Sequence, residues 1–180
     1  MAIHPIKHLR TVNKHRRAVI RHCRRAGIFF QGLRHDLSKY SPTEFIPGAK
    51  YFQGTRSPNE MERELFGYSL AWMHHKGRNR HHFEYWVDLN TITKNYEPVV
   101  MPMRYLKEMF CDRVAASKIY RGKEYTDEYP LIYYSRGEAK RKMHPATAAK
   151  LEEWLNMLAK EGEDATFRHI KSIKNDAIYF

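Results

Sequence analysis

Four of the chain's 11 histidines lie in "AWMHHKGRNRHHFEYW", as two adjacent pairs, His74–His75 and His81–His82. Imidazole ligates transition metals through either ring nitrogen and exchanges protons near neutral pH. The segment therefore has two readings, metal ligation or a basic, aromatic surface rich in histidine. Three other places supply matching chemistry. "IFFQGLRHDLSKYSP" places His35 beside Asp36, with Lys39 one turn on. Imidazole and carboxylate together suit Mn, Fe, Co, Ni or Zn, with Mg also admissible. In "MPMRYLKEMFCDRVAASKIYRG", Asp112 shares a helical face with Tyr105, Met109, Ala116 and Ile119. A carboxylate among apolar groups needs compensation, which a metal or an arginine supplies. Near the N-terminus, His8, Val12, His15, Val19 and Cys23 recur at helical spacing, so both His8 and His15 fall on a stripe that faces the core.

These side chains need helices to bring them together. Sustained strand alternation is missing, and "EPVVMP", short and bounded by proline, is the nearest thing to a strand. The expected architecture is all-α, a single domain over 1–180. Helices are expected over roughly 5–26, 28–39, 42–53, 59–76, 102–120, 145–160 and 164–176, with 145–180 packing against the rest. Ser41-Pro42-Thr43-Glu44 and Ser57-Pro58-Asn59-Glu60 read as capping boxes with proline in the first turn, Ser135-Arg136-Gly137-Glu138 as a weaker one, and Gly27 as a helix stop. Residues 76–100 read as a long loop with a helical turn at "HHFEYW".

The bulk numbers limit the function. At 42% hydrophobic residues and 29% charged, the chain can build a core. No apolar run or signal-type segment stands out, so a cytoplasmic location and no membrane partner are expected. The two cysteines, Cys23 and Cys111, form no metal or disulfide motif and read as small buried hydrophobes. A net charge of +12 favours an anionic partner, either a nucleotide-like small molecule or nucleic acid. Walker, Rossmann and nucleophile-elbow motifs are absent. The oligomeric state is left open.

In order along the chain, a helical His, a His-Asp, a His pair and a buried Asp resemble the HD-domain metal-dependent phosphohydrolases, an all-α superfamily. His35-Asp36-Leu37-Ser38-Lys39 is similar to that superfamily's His-Asp-x-x-Lys core. "HHKGRNRHH" followed by the Asp112 helix looks like the HD-GYP subgroup's pattern, although the Gly-Tyr-Pro element is absent, so cyclic dinucleotide activity is not carried over. "QGLRHDLSKYSPTEF", "AWMHHKGRNRHHFEYW" and "MHPAT" resemble more closely a family of bacterial and phage proteins with no assigned activity. The resemblance implies metal ligands at His15 (or His8), His35, Asp36 and Asp112, with His74 and His75 added where two ions are held.

The expected activity is hydrolysis of a nucleotide or another phosphate ester by a metal-activated water. Asp36, His74 and Lys39 are the expected catalytic groups. Lys39, Lys76, Arg78, Arg80, His81, His82 and Tyr85 are the expected substrate-facing residues, with His81 and His82 on the loop. Glu44 is expected only as a capping partner. Two other readings stand beside this one, a di-iron HD-type oxygenase and a non-enzymatic, basic nucleic-acid-binding protein whose histidines form a structural polar network.

Overall fold

The first long helix shows how this sequence ends and aims its elements. In the computed structural model, which describes residues 3–180, α1 (Pro5–Arg25) has proline in its first turn and buries Val12, Ala18, Val19 and Cys23. It stops at Gly27, whose φ of +79° lets the Ile28 N–H donate to the Cys23 carbonyl at 2.9 Å. Helix α2 (Phe29–Arg34) then doubles back onto α1. A Cβ on Gly32 would lie 2.5 Å from that of Cys23, so only glycine allows the two backbones this close.

Residues 28–39 are not one helix. Asp36 has a φ of +54°, and a short 3₁₀ turn, Leu37–Tyr40, follows it. A short polar side chain tolerates this left-handed geometry better than most. Helix α3 is Pro42–Lys50. The expected helix over 59–76 is two, α4 (Pro58–Phe66) and α5 (Leu70–Arg78), because Gly67 turns left-handed between them at φ +80° and Ser69 caps the Trp72 N–H. The 76–100 segment does contain a 3₁₀ turn at Phe83–Tyr85. It also holds a two-stranded antiparallel hairpin, β1 (Val87–Leu89) with β2 (Tyr96–Pro98), pairing Val87 with Pro98.

Helix α6 (Met103–Arg121) is the central element. Two short helices, α7 (Tyr129–Arg136) and α8 (Ala139–Lys142), lead to α9 (Pro145–Ser172), which non-helical Gly162 (φ 76°, ψ 175°) breaks into two helical segments, in line with the two helices expected over 145–160 and 164–176. Ser135 sits inside α7, so the weak cap expected there does not form. The core lies where α6 and α9 meet α1: Phe110, Val114, Leu151, Trp154, Leu155, Leu158 and Ile170 are fully buried with Val19 and Cys23. Lys107 threads its stem through this core, and its ammonium donates to the Ile173 carbonyl (2.6 Å) and Asn175 Oδ1 (2.9 Å), tying the C-terminal tail down. The all-α expectation holds, with nine α-helices among the described residues. No helix is long and apolar enough to cross a membrane.

Candidate metal centre

Five separate segments deliver side chains to one point. Helix α1 supplies His15, the left-handed turn after α2 supplies His35 and Asp36, α5 supplies His75, the loop after α5 supplies His81 and His82, and α6 supplies Glu108 and Asp112. The turn at Asp36 is held from α1, because Arg16 donates to the carbonyls of Leu33 and His35. Three groups of donor atoms lie within 4.8 Å of one another: His15, His35, Asp36 and Asp112; Asp36, His75, His81 and His82; and His35, His81 and Glu108. Asp36 belongs to the first two.

The distances centre on the Asp36 carboxylate. His35 Nε2 is 3.2 Å from its Oδ2, and His75 Nε2 and His81 Nε2 are 3.3 and 3.5 Å from its Oδ1. His15 Nε2 is 2.9 Å from Asp112 Oδ1. Yet Nε2 of His15, His35, His81 and His82 and both Asp36 oxygens are buried and make no aligned hydrogen bond, the one ammonium among them being that of Lys39 beside Asp36 Oδ2. Six polar atoms facing each other at short range, without donor–acceptor alignment, are costly unless a cation satisfies them. The donor set fits a metal, and the clusters can hold one.

The surrounding carboxylates fix the rings. Glu108 Oε1 accepts from His35 Nδ1 at 2.9 Å and lies 3.3 Å from His81 Nδ1, while Gln31 donates to its other oxygen. Glu44 does the same for the pair on α5: His74 Nδ1 donates to its Oε1 at 2.6 Å and His75 Nδ1 to its Oε2 at 2.7 Å. A proton held on Nδ1 leaves the Nε2 lone pair free to ligate. Burial alone would raise the Glu108 pKa, but the His35 and His81 rings hold it down at about 2. Burial opposes the charged forms of His35 and Asp36 too. Even so, Asp36, Asp112 and Glu108 keep His35 well above its usual value, and His35, Lys39 and His75 keep Asp36 well below. Burial lowers His15 and, helped by the charges of His81 and His75, holds His82 well below the usual imidazole value.

Changing Glu108 to Gln removes an acceptor shared by two ligand rings. Metal affinity is expected to fall about 10- to 100-fold while the fold persists, read by competition with a chromophoric chelator. Unchanged affinity would mean that Glu108 does not orient the rings.

Of the residues singled out in the sequence, His15, His35, Asp36, His75 and Asp112 converge. The choice between His8 and His15 is resolved. His8 packs against Phe45 and Phe52, and its ring occupies the space that the missing Cβ of Gly48 leaves open. His74 lies outside the converging donors, on Glu44. Asp112 is compensated by imidazoles rather than by an arginine. Lys39 is at the centre, with Nζ 2.6 Å from Asp36 Oδ2. His81 is buried rather than on a loop surface, and both His81 and His82 face inward. Arg80 lies over the Tyr85 ring and donates to Tyr105 Oη at 3.3 Å, and Arg78 reaches back to the His74 carbonyl. Lys76 is half-buried on α5 and makes no ion pair among the described residues. Glu44 is no capping partner, since the Ser41 side chain makes no cap bond.

Sequence reasoning missed Glu44 and Glu108. Glu108 lies one turn before Asp112 on α6, and that spacing was the available signal. For Glu44, the Ser-Pro-Thr-Glu pattern had a simpler explanation.

No curated protein and no solved structure matches the chain. A family model described as "Family of unknown function (DUF5662)" matches residues 4–157, a span that includes every residue of the candidate metal centre. The chain belongs to this family.

Proposed function

We propose that the chain is a metal-dependent phosphohydrolase acting on a nucleotide or another phosphate ester. The observation that carries this reading is the set of six buried ligand-type atoms gathered at Asp36 without an aligned hydrogen bond, with an ammonium on the same carboxylate. His15, His35, Asp36 and Asp112 would hold one divalent ion, and Asp36, His75, His81 and His82 a second. The mix of imidazole and carboxylate suits Mn, Fe, Co, Ni or Zn better than Mg, which prefers oxygen donors. When bound, such an ion lowers the pKa of a coordinated water and polarises a phosphoryl oxygen.

The chain's own residues supply the remainder. Side-chain exposure rises from 0% at His35 and 2% at Asp36 to 19% at Asp112 and 30% at Lys39. The centre therefore opens on the Lys39–Asp112 side, where an anionic substrate would arrive. The Asp36 and Asp112 charges, set against burial, hold the Lys39 ammonium firmly protonated. It can meet a non-bridging phosphate oxygen and steady charge that builds there. Glu44 and Glu108 keep the ligand rings in one tautomer and orientation. The resemblance of His35-Asp36-Leu37-Ser38-Lys39 to the HD phosphohydrolases adds support.

The test is phosphate release from a panel of nucleotides and phosphomonoesters with each of Mn, Fe, Co, Ni and Zn. Turnover is expected with at least one metal, and Lys39→Met should lower kcat/KM by about 10²-fold or more. No hydrolysis with any metal would sink the reading. A second reading, oxygen chemistry on two irons, draws support from the five imidazoles around one shared carboxylate. Iron content together with oxygen consumption would favour it over hydrolysis.

A further inference from the structure

On the side of α1 away from His15 lie Lys7, Arg10, Lys14, Arg17, Arg21 and Arg24, all exposed. Their spacing alternates between three and four residues, which keeps them on one stripe about 25 Å long. Helix α1 contains no Asp or Glu. Among the described residues its ion pairs are those of His15 and Arg25, so no carboxylate neutralises any of the six. They make up half of the chain's net +12.

An ordinary solvated face mixes the two signs of charge. Like charges three or four residues apart destabilise a helix, and this stripe sets five such pairs in succession with no acid to offset them. The track also continues past the end of α1. The stem of Lys171 lies 3.4 Å from where a Cβ on Gly27 would sit, and Arg168, one turn before it on α9, is exposed too.

We propose that this stripe docks the sugar–phosphate backbone of a nucleic acid, without regard to sequence and apart from the metal centre. A straight rod of cations matches a linear polyanion, since 25 Å of duplex carries about 15 phosphates. A membrane surface fits less well. A helix that lies in a bilayer buries a broad apolar face there, whereas α1 packs Val12, Val19 and Cys23 in the core and exposes only Ile6 and Leu9 of its large apolar side chains.

The full chain is titrated against labelled mixed-sequence DNA, single-stranded and duplex, between about 50 and 200 mM salt, with anionic phospholipid vesicles as the comparison arm. Binding is expected to weaken with a log–log salt slope of about −4 for single-stranded and about −5.5 for duplex DNA. The triple variant Arg10→Gln/Arg17→Gln/Arg24→Gln should make that slope shallower by about 2 to 3 and weaken low-salt binding by about 10-fold or more, with metal content unchanged. The complementary triple Lys7→Gln/Lys14→Gln/Arg21→Gln should do the same, so misfolding of one variant does not spoil the test. Lys140→Gln/Arg141→Gln/Lys142→Gln removes as much charge from α8 and should leave the slope alone. The proposal is overturned if the wild type does not bind DNA at low salt, if the α1 and α8 triples behave alike, or if only the vesicles bind.

Discussion

Changing Asp36 to Asn is expected to cost the chain its metal, and any metal-dependent turnover with it. Both Asp36 oxygens are buried without an aligned hydrogen bond, Oδ2 being met by the Lys39 ammonium, and each of the two four-residue donor groups includes this carboxylate. An amide offers one oxygen and no charge, so both groups lose their common anion at once. Affinity should fall by more than about 100-fold, beyond the usual effect of removing a group that only orients a ligand. The same loss shows in stability. An ion at about 100 times its Kd stabilises the wild type by about 2.7 kcal/mol, and the variant should gain almost nothing. Asn is the cleaner substitution because the backbone here has a φ of +54°, a conformation Asn tolerates, whereas Ala adds about 1–2 kcal/mol of strain. A variant that keeps wild-type affinity would remove Asp36 from the centre.

The largest stability effect is expected from Trp154→Ala. Trp154 is fully buried between α9 and α6, with its ring edge-on to Phe110 at 5.9 Å. Its indole N–H has no partner, so the substitution removes packing and breaks no hydrogen bond. The cavity and the lost apolar burial together should cost about 3–5 kcal/mol, measured by urea denaturation. Helix α6 also carries Glu108 and Asp112, so metal capacity should decline before the fold is lost. A cost below about 1 kcal/mol would contradict the placing of the core at this junction.

Much of this was legible in the sequence because helices announce themselves by period and punctuation. The stripe through Val12, Val19 and Cys23 and the stop at Gly27 located α1 to within a residue. Asp112 was legible as an acid on the inward face of α6, where it is half-buried. What escaped was set by single backbone angles and by contacts across the chain. The left-handed Asp36 and Gly67 cut two expected helices, whereas the break at Gly162 falls between the two helices expected there. His81 and His82 sit in a polar segment that reads as exposed loop. Only the packing of that segment over Glu108 turns them inward. Glu44 satisfied a local pattern while its partners, His74 and His75, lay thirty residues away.

The most direct measurement is elemental analysis of the wild-type protein after loading with each of Mn, Fe, Co, Ni and Zn and removal of the excess, paired with X-ray absorption at the metal edge. One to two ions per chain with an imidazole-rich nitrogen and oxygen shell is the expected result. A chain that retains none of the five, or holds an ion whose ligands are not imidazoles, would contradict a metal centre built around Asp36.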